Sequence, residues 1–393
     1  MHRSPMRARS RQVRGLDPRE RGVDVLYKLR LEWAGHTRTI VANSLAVATR
    51  SANSAAYRYP APSGTNMNVE EPVLDPARAI ALLERIQRLL RESSYTTTYK
   101  FAVLRALCDI AIESPQNTEV IHLERLAERV IELYWKQVRL FDIPGSSGAV
   151  MLSQSSMPNG KAAALTLVDD WVKAEHGRLS NAHTSGRMRD YRRLMTAALK
   201  KDVLRRLQPV DEPKFLYEWP AVKGELRICV GTFAAMRRFH GLLVDLIESE
   251  WARWVERRNT SIRGTDALRE HLFGGERENL RAVVEPLLEL QHGMCFYDNR
   301  KRIRPDSADV DHFIPWSLAR NNSIGNLVLA RSSFNSAKGD RLAPVADRAR
   351  WEARNVDRAP QLQRIATNAG LQWAPEATLQ IANWAYSRWS NAG

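Results

Sequence analysis

From Asp75 onward the apolar residues return mostly at every third or fourth position. Ala79, Ile80, Leu82, Leu83, Ile86, Leu89 and Leu90 open the pattern. That spacing lines up side chains on one face of an α-helix but not of a strand. Asp75-Pro76 supplies an N-cap and a first helical residue, so a helix starts there. A second helix is expected after Ser93-Ser94, through Phe101, Leu104, Leu107 and Ile110, and a third over residues 119–138. Residues 144–160, with Pro, Gly, Ser and Asn, read as a surface loop. Helical spacing resumes at 161–175. Two short β segments, 215–219 and 226–230, flank Lys223-Gly224 and suit a hairpin. The longest expected helix is 232–258, with Phe233, Met236, Leu243, Ile247, Trp251 and Trp254 near one stripe. Another spans 276–292, and helix returns after Pro344. Its Trp351, Trp373, Trp384, Tyr386 and Trp389 suit a cap over the segment before it.

The fold class that follows is mainly α: a helical N-terminal region with a small β-hairpin, a strand–loop–strand–helix element, and C-terminal helices. Four stretches are expected: a tail (1–66), a helical substrate-docking region (67–274), the mixed element (275–345) and a helical cap (346–393). At 393 residues and 44% hydrophobic content the chain can bury a core. No run of eighteen apolar residues suggests a membrane span, no apolar leader core is visible, and a cytoplasmic location is expected. Three cysteines, Cys108, Cys229 and Cys295, with no CxxC, exclude a disulfide scaffold and a four-cysteine zinc site.

The net charge is +15, which favours a polyanionic partner such as nucleic acid. It is unevenly spread. Residues 1–66 hold twelve basic and four acidic side chains, more than half of the excess. This stretch reads as mostly disordered, with helical spacing only over 23–33. Three readings stay open for it: an arm that grips phosphates, a transit peptide, or sequence upstream of a start at Met67. A second basic run, 187–206, includes Arg187, Arg189, Arg192, Arg193, Lys200 and Lys201. It is either a solvated helix face or a contact for the DNA backbone.

Chemistry concentrates in residues 295–344. Asp311-His312 follows a short alternating stretch and precedes Pro315. Fourteen residues after the histidine, Asn326 opens the apolar run Leu327-Val328-Leu329-Ala330, and nine residues later comes Asn335, with Lys338 one turn on. Hydrolysing a phosphodiester near neutral pH needs a base for water, a Lewis acid for the developing charge and help for the leaving oxygen. A histidine suits the first task. A carboxylate and an amide oxygen are hard ligands that suit one Mg²⁺ or Mn²⁺ ion. Asp311, His312 and Asn335 therefore form a one-metal nuclease set by residue type and spacing.

Three runs resemble the HNH, or ββα-metal, endonucleases: Asp309-Val310-Asp311-His312-Phe313-Ile314-Pro315, then Asn322-Ser323-Ile324-Gly325-Asn326-Leu327-Val328-Leu329, then Asn335-Ser336-Ala337-Lys338. They are most similar to the subgroup that includes the target-strand-cutting domain of RNA-guided CRISPR effectors. The resemblance implies metal ligation by Asp311 and Asn335, with His312 as general base. It further implies that Asn326 braces the histidine loop through backbone hydrogen bonds and that Lys338 lies near the scissile phosphate. Products with 5′-phosphate and 3′-hydroxyl ends would follow. Many HNH proteins carry two CxxC pairs around a structural zinc. Here Asp298 follows Cys295 at the second position, and Arg331 and Phe334 replace the later pair. No structural zinc is expected, and Phe296, Tyr297, Phe313, Trp316 and Phe334 are the expected filler.

The flanking sequences 94–101, 238–243 and 295–297 resemble stand-alone bacterial HNH proteins, many suspected of restriction or phage defence. The leading expectation is a metal-dependent endonuclease on duplex DNA, as an oligomer or with an activating partner. The alternatives are a non-catalytic nucleic-acid-binding protein and a toxin or effector nuclease switched on by a partner.

Overall fold

A computed structural model of the chain describes residues 27–33, 36–42, 75–92, 96–143, 148–156, 163–209, 212–260, 262, 265–274, 278–298, 301–304 and 307–389. The chain divides into two compact units, residues 1–54 and 55–391. In the first, β1 (Tyr27–Trp33) and β2 (His36–Ala42) form an antiparallel hairpin, from Tyr27↔Ala42 to Trp33↔His36. The helical reading of 23–33 is thus corrected, as is the absence of regular structure over 27–42. The sequence YKLRLEW alternates apolar and charged residues with a period of two, which belongs to a strand. The rest of the expected disordered tail lies outside the described residues.

The second unit begins with α1 (Pro76–Glu92), where the Asp75 carboxylate accepts from Ala77 N at 3.0 Å as an N-cap should. The next helix, α2 (Tyr99–Glu113), starts later than Ser93-Ser94 implies. Thr98 occupies its cap position, but the hydroxyl turns to Tyr134 Oη at 3.0 Å and Gln154 Oε1 at 3.1 Å. Nearly every α2 side chain is buried, Arg105 and Asp109 included, so this is the central helix of the unit.

The third expected helix loses its first turn to a strand, β3 (Val120–His122), before α3 (Leu123–Gln137). A short pair, β4 (Phe141–Asp142) and β5 (Ala149–Val150), borders and enters the stretch that reads as a loop. Helices α4 (Ala163–Ala174), α5 (Leu179–Thr184), α6 (Met188–Lys201) and α7 (Val203–Arg206) follow. Strand β6 (Glu225–Arg227) pairs with β3. The expected hairpin survives as a Tyr217↔Ile228 bridge and a tight turn. In that turn Val222 and Glu225 exchange backbone bonds, while Lys223 and Gly224 both have positive φ, the geometry a two-residue hairpin loop requires.

The expected long helix is broken at Phe239 into α8 (Thr232–Arg238) and α9 (His240–Arg258). Long-range bonds accompany the break. Arg237 O accepts from Trp384 Nε1 at 3.1 Å and Arg388 Nη1 at 2.6 Å, while the Arg237 guanidinium ties down carbonyls of Ala111, Ser114, Pro115 and Gln116. Helix α10 (Thr265–Phe273), a 3₁₀ turn (Glu278–Val283) and α11 (Val284–Leu290) lead into the mixed element. This element comprises β7 (Ala308–His312), α12 (Trp316–Ala319), β8 (Leu327–Arg331) and α13 (Ser332–Lys338). Helices α14 (Val345–Asp357), α15 (Ala359–Ala369) and α16 (Pro375–Trp389) close the chain.

The fold is mainly helical with short β pairs, as the periodicity implies. One core holds the side chains of α1 to α10, with Phe101 stacked on Trp251 at 6.0 Å between ring centroids. A second places Ile112 of α2 against Phe313, Trp351 and Trp384, so the cap packs on both the mixed element and the central helix. A third surrounds Cys295 with Leu287, Leu327, Leu329 and Phe334.

Candidate active site

Strands β7 and β8 run antiparallel, with Asp309↔Ala330, Asp311↔Val328 and His312↔Leu327 in register. Because strand side chains alternate, Asp309 and Asp311 share one face and His312 leaves from the other. Helix α13 follows β8 without a linker and carries Asn335 and Lys338 back beside β7. Asp309, Asp311, His312 and Asn335 all line one cleft of about 1060 Å³.

Asn326 is fully buried beyond the end of the ladder. Its Oδ1 accepts from Ile314 N at 2.8 Å, and its Nδ2 donates to Ile314 O and Asn321 O, each at 3.0 Å. Its own carbonyl accepts from Phe313 N at 2.7 Å. The loop that follows His312 is therefore clamped by one side chain.

His312 Nε2 lies 2.7 Å from Asn322 Oδ1. An amide oxygen only accepts, so in the neutral ring the proton sits on Nε2 and the lone pair on Nδ1. The ring also tilts against Trp316, centroid to centroid 5.2 Å. The expectation that Trp316 serves as filler is corrected here, because it lies half-buried in the cleft wall.

Asp311 is almost wholly buried. Tyr297 Oη donates to its Oδ2 at 2.5 Å and Lys338 Nζ to its Oδ1 at 3.1 Å. Burial pushes its carboxyl above the usual range, against the opposing pull of the Lys338 ammonium. Burial likewise lowers Lys338. Lys338 packs beneath Asp311. Only 1% exposed, it donates to Asp311 and, at 2.8 Å, to His312 O.

Asn335 Nδ2 donates to Asp309 Oδ2 at 3.2 Å. Fixing the amide nitrogen in this way leaves Oδ1 as the acceptor edge of the group. A carboxylate has about four lone-pair sites, and the two bonds to Asp311 use half of them. The donor set is oxygen-only, which fits a hard divalent cation that retains waters. Among the described residues no group of three or more His, Cys, Asp or Glu side chains clusters as a metal site. The set here is carboxylate plus amide.

The aromatic filler is otherwise as expected. Phe296 meets Phe313 edge-on at 5.8 Å, and Tyr297 lies parallel to Phe313 and Phe334 at 6.5 and 6.2 Å. Trp351 stacks on Phe313 at 4.8 Å. Cys295 sits buried among apolar neighbours, its Sγ accepting from Arg331 N at 3.5 Å.

The basic run does not join the cleft. Met188, Tyr191, Met195 and Leu199 of α6 face inward. Arg187 donates to Glu175 at 3.0 Å and Arg192 to Glu128 at 3.1 Å, while Arg193 approaches Asp190 at 3.8 Å. Arg189, Lys200 and Lys201 are exposed on the outer side of the helix. Sequence reasoning gives no role to Asn322 or Asp309, although both stand inside the quoted runs. It misses Glu248 and Arg320 entirely, because nothing local marks them.

Residues 299–344 match a family described as HNH endonuclease, and residues 79–212 match a family described as a domain of unknown function (DUF8808). No curated protein and no solved structure matches the chain. The first match spans β7, β8 and α13 and identifies the strand–strand–helix element as an HNH domain, a nuclease family acting on nucleic acid. Among the described residues, no helix is long and apolar enough to cross a membrane.

Proposed function

We propose that the HNH domain makes this chain a divalent-metal-dependent endonuclease that hydrolyses DNA phosphodiesters, with duplex as substrate. The observation that carries this reading is the convergence of Asp311, His312 and Asn335 on one cleft, with Asn322 selecting the histidine tautomer.

His312 Nδ1 takes a proton from the attacking water, and Asn322 Oδ1 steadies the charge that arrives on the ring. Asp311 and Asn335 Oδ1 would hold one Mg²⁺ or Mn²⁺ ion, which supplies Lewis acidity to the phosphoryl and leaving oxygens. Asp309 orients the Asn335 amide, and Lys338 neutralises Asp311 from the side away from the cleft. Asn326 keeps the loop after His312 in place while charge moves. A single such site cuts one strand per event, so a double-strand break needs two copies or two events. The likeness of the flanks to stand-alone bacterial HNH proteins supports a role in restriction or phage defence.

The test is incubation of the full chain with supercoiled plasmid, linear duplex, single-stranded DNA and RNA, each with Mg²⁺, Mn²⁺ or EDTA. Metal-dependent nicking that disappears in His312→Ala and Asn335→Ala is the expected result. Cleavage that survives both substitutions removes the site assignment. Inactivity on every substrate, methylated DNA included, favours a non-catalytic or partner-activated protein.

A further inference from the structure

The loop between β7 and β8 is held at a second point, by the helical region. Arg320 closes α12 within that loop, two residues before Asn322. Its Nη1 lies 2.6 Å from Glu248 Oε1 and 2.7 Å from Glu248 Oε2. Glu248 belongs to α9 and is 1% exposed. Arg105 Nε of α2 reaches the same carboxylate at 3.1 Å, and Arg269 Nη2 of α10 at 3.3 Å. Three guanidinium groups from three separate segments thus converge on one buried carboxylate. Arg105 also pairs with Asp109 and Arg269 with Asp245 at 2.7 Å, so Glu248 joins three segments in one network of charges.

The backbone gives an independent observation. Arg320 has φ +47° and ψ +42°, the left-handed conformation that glycine adopts freely and arginine does not. A residue suited to the turn alone would be glycine or asparagine. The side chain's bond to Glu248 supplies a reason for arginine to occupy it. Glu248 and Arg320 also both line the cleft that holds His312 and Asn335.

We propose that Glu248 is a positioning residue for the nuclease site: through Arg320 it fixes the loop that presents Asn322 to His312. The helical region is then part of the catalytic apparatus and not only a surface for docking substrate. This rests on the reading of the HNH domain as a nuclease.

The experiment uses the full chain and compares Arg320→Gly, Arg320→Lys and Asn322→Ala. Arg320→Gly suits the turn and deletes the guanidinium. It is expected to leave the melting temperature, Mn²⁺ affinity by calorimetry and KM near those of the parent, while kcat falls on the order of 10- to 100-fold. Arg320→Lys keeps a cation and is expected to restore part of the loss. Should the glycine variant fail to fold, Arg320→Lys alone and its double-mutant cycle with Asn322→Ala still decide the matter. The loop substitution and Asn322→Ala are expected to be non-additive, because both act through one hydrogen bond. A parent-like kcat in Arg320→Gly, or fully additive losses, overturns the proposal. If the parent chain cuts nothing, the reading of a nuclease active by itself has failed, and amide exchange over residues 316–322 tests the latch alone. Faster exchange in Arg320→Gly supports it, and unchanged exchange overturns it.

Discussion

Asn326 and Ile314 exchange two hydrogen bonds, N–H to Oδ1 at 2.8 Å and Nδ2 to carbonyl at 3.0 Å. The last backbone pair of the ladder is His312↔Leu327, so the amide side chain extends the pairing by one step. Asn326→Ala leaves an N–H and two carbonyls without these partners in a buried site. Each unsatisfied group costs about 1–3 kcal/mol, and partial relaxation brings the expected loss to about 2–4 kcal/mol. Urea unfolding measures it. A change below about 0.5 kcal/mol would mean that the loop holds itself.

His312→Ala is expected to lower kcat by about 10²–10⁴-fold, the range for losing a general base, without altering the melt. Asn335→Ala should weaken Mn²⁺ binding as well as turnover, which separates ligand from base. Equal Mn²⁺ affinity in parent and Asn335→Ala would remove the ligand assignment.

Glu132 carries a pH dependence of stability. Burial pushes its carboxyl up to about 7, assisted by Glu128 and Glu113 and opposed by Arg129. Gln372 Nε2 donates to its Oε1 at 2.7 Å. The folded chain therefore holds this proton more tightly than the unfolded chain does. The contribution is complete below the unfolded value of 4.5 and is lost as pH rises through 7. It amounts to on the order of 3 kcal/mol. Melting temperatures of Glu132→Gln should vary less between pH 5 and pH 8 than those of the parent, and parallel curves would refute the assignment.

Phe313 lies at the centre of the aromatic packing of the mixed element. Phe313→Ala should cost about 3–5 kcal/mol, since the ring is fully buried against Trp351, Phe296 and Tyr297. A zinc-selective chelator should leave circular dichroism unchanged. Cooperative loss of helix signal on chelation would point to a metal that the packing does not replace.

On α6 the arginines divide by partner. Arg189→Ala and Lys200→Ala test whether the exposed face touches DNA: each lost phosphate contact should reduce the salt slope of binding by about 0.9. Arg187→Ala and Arg192→Ala should change the slope less, because Glu175 and Glu128 already engage these side chains. If all four variants match the parent, α6 is a solvated face.

Much of the site is legible because its parts are close in sequence. A hairpin and the helix after it place Asp311, His312, Asn326 and Asn335 by register and periodicity alone, so spacing reports geometry. Helix starts such as Asp75-Pro76 are legible for the same reason. The break at Phe239 is not: Arg237 O is engaged by α16, whose Trp384 lies 147 residues away in the chain. The inward turn of Lys338 onto the buried Asp311 carboxylate is likewise not legible in the spacing.

A helical protein with a ββα element is legible locally, because hydrogen-bond ladders and side-chain periodicity act over a few residues. What supports that element is set by contacts far apart in the chain. Glu248 meets Arg320 across 72 residues and Arg105 across 143. Such convergence arises from how helices pack around a shared buried charge, and no local pattern encodes it.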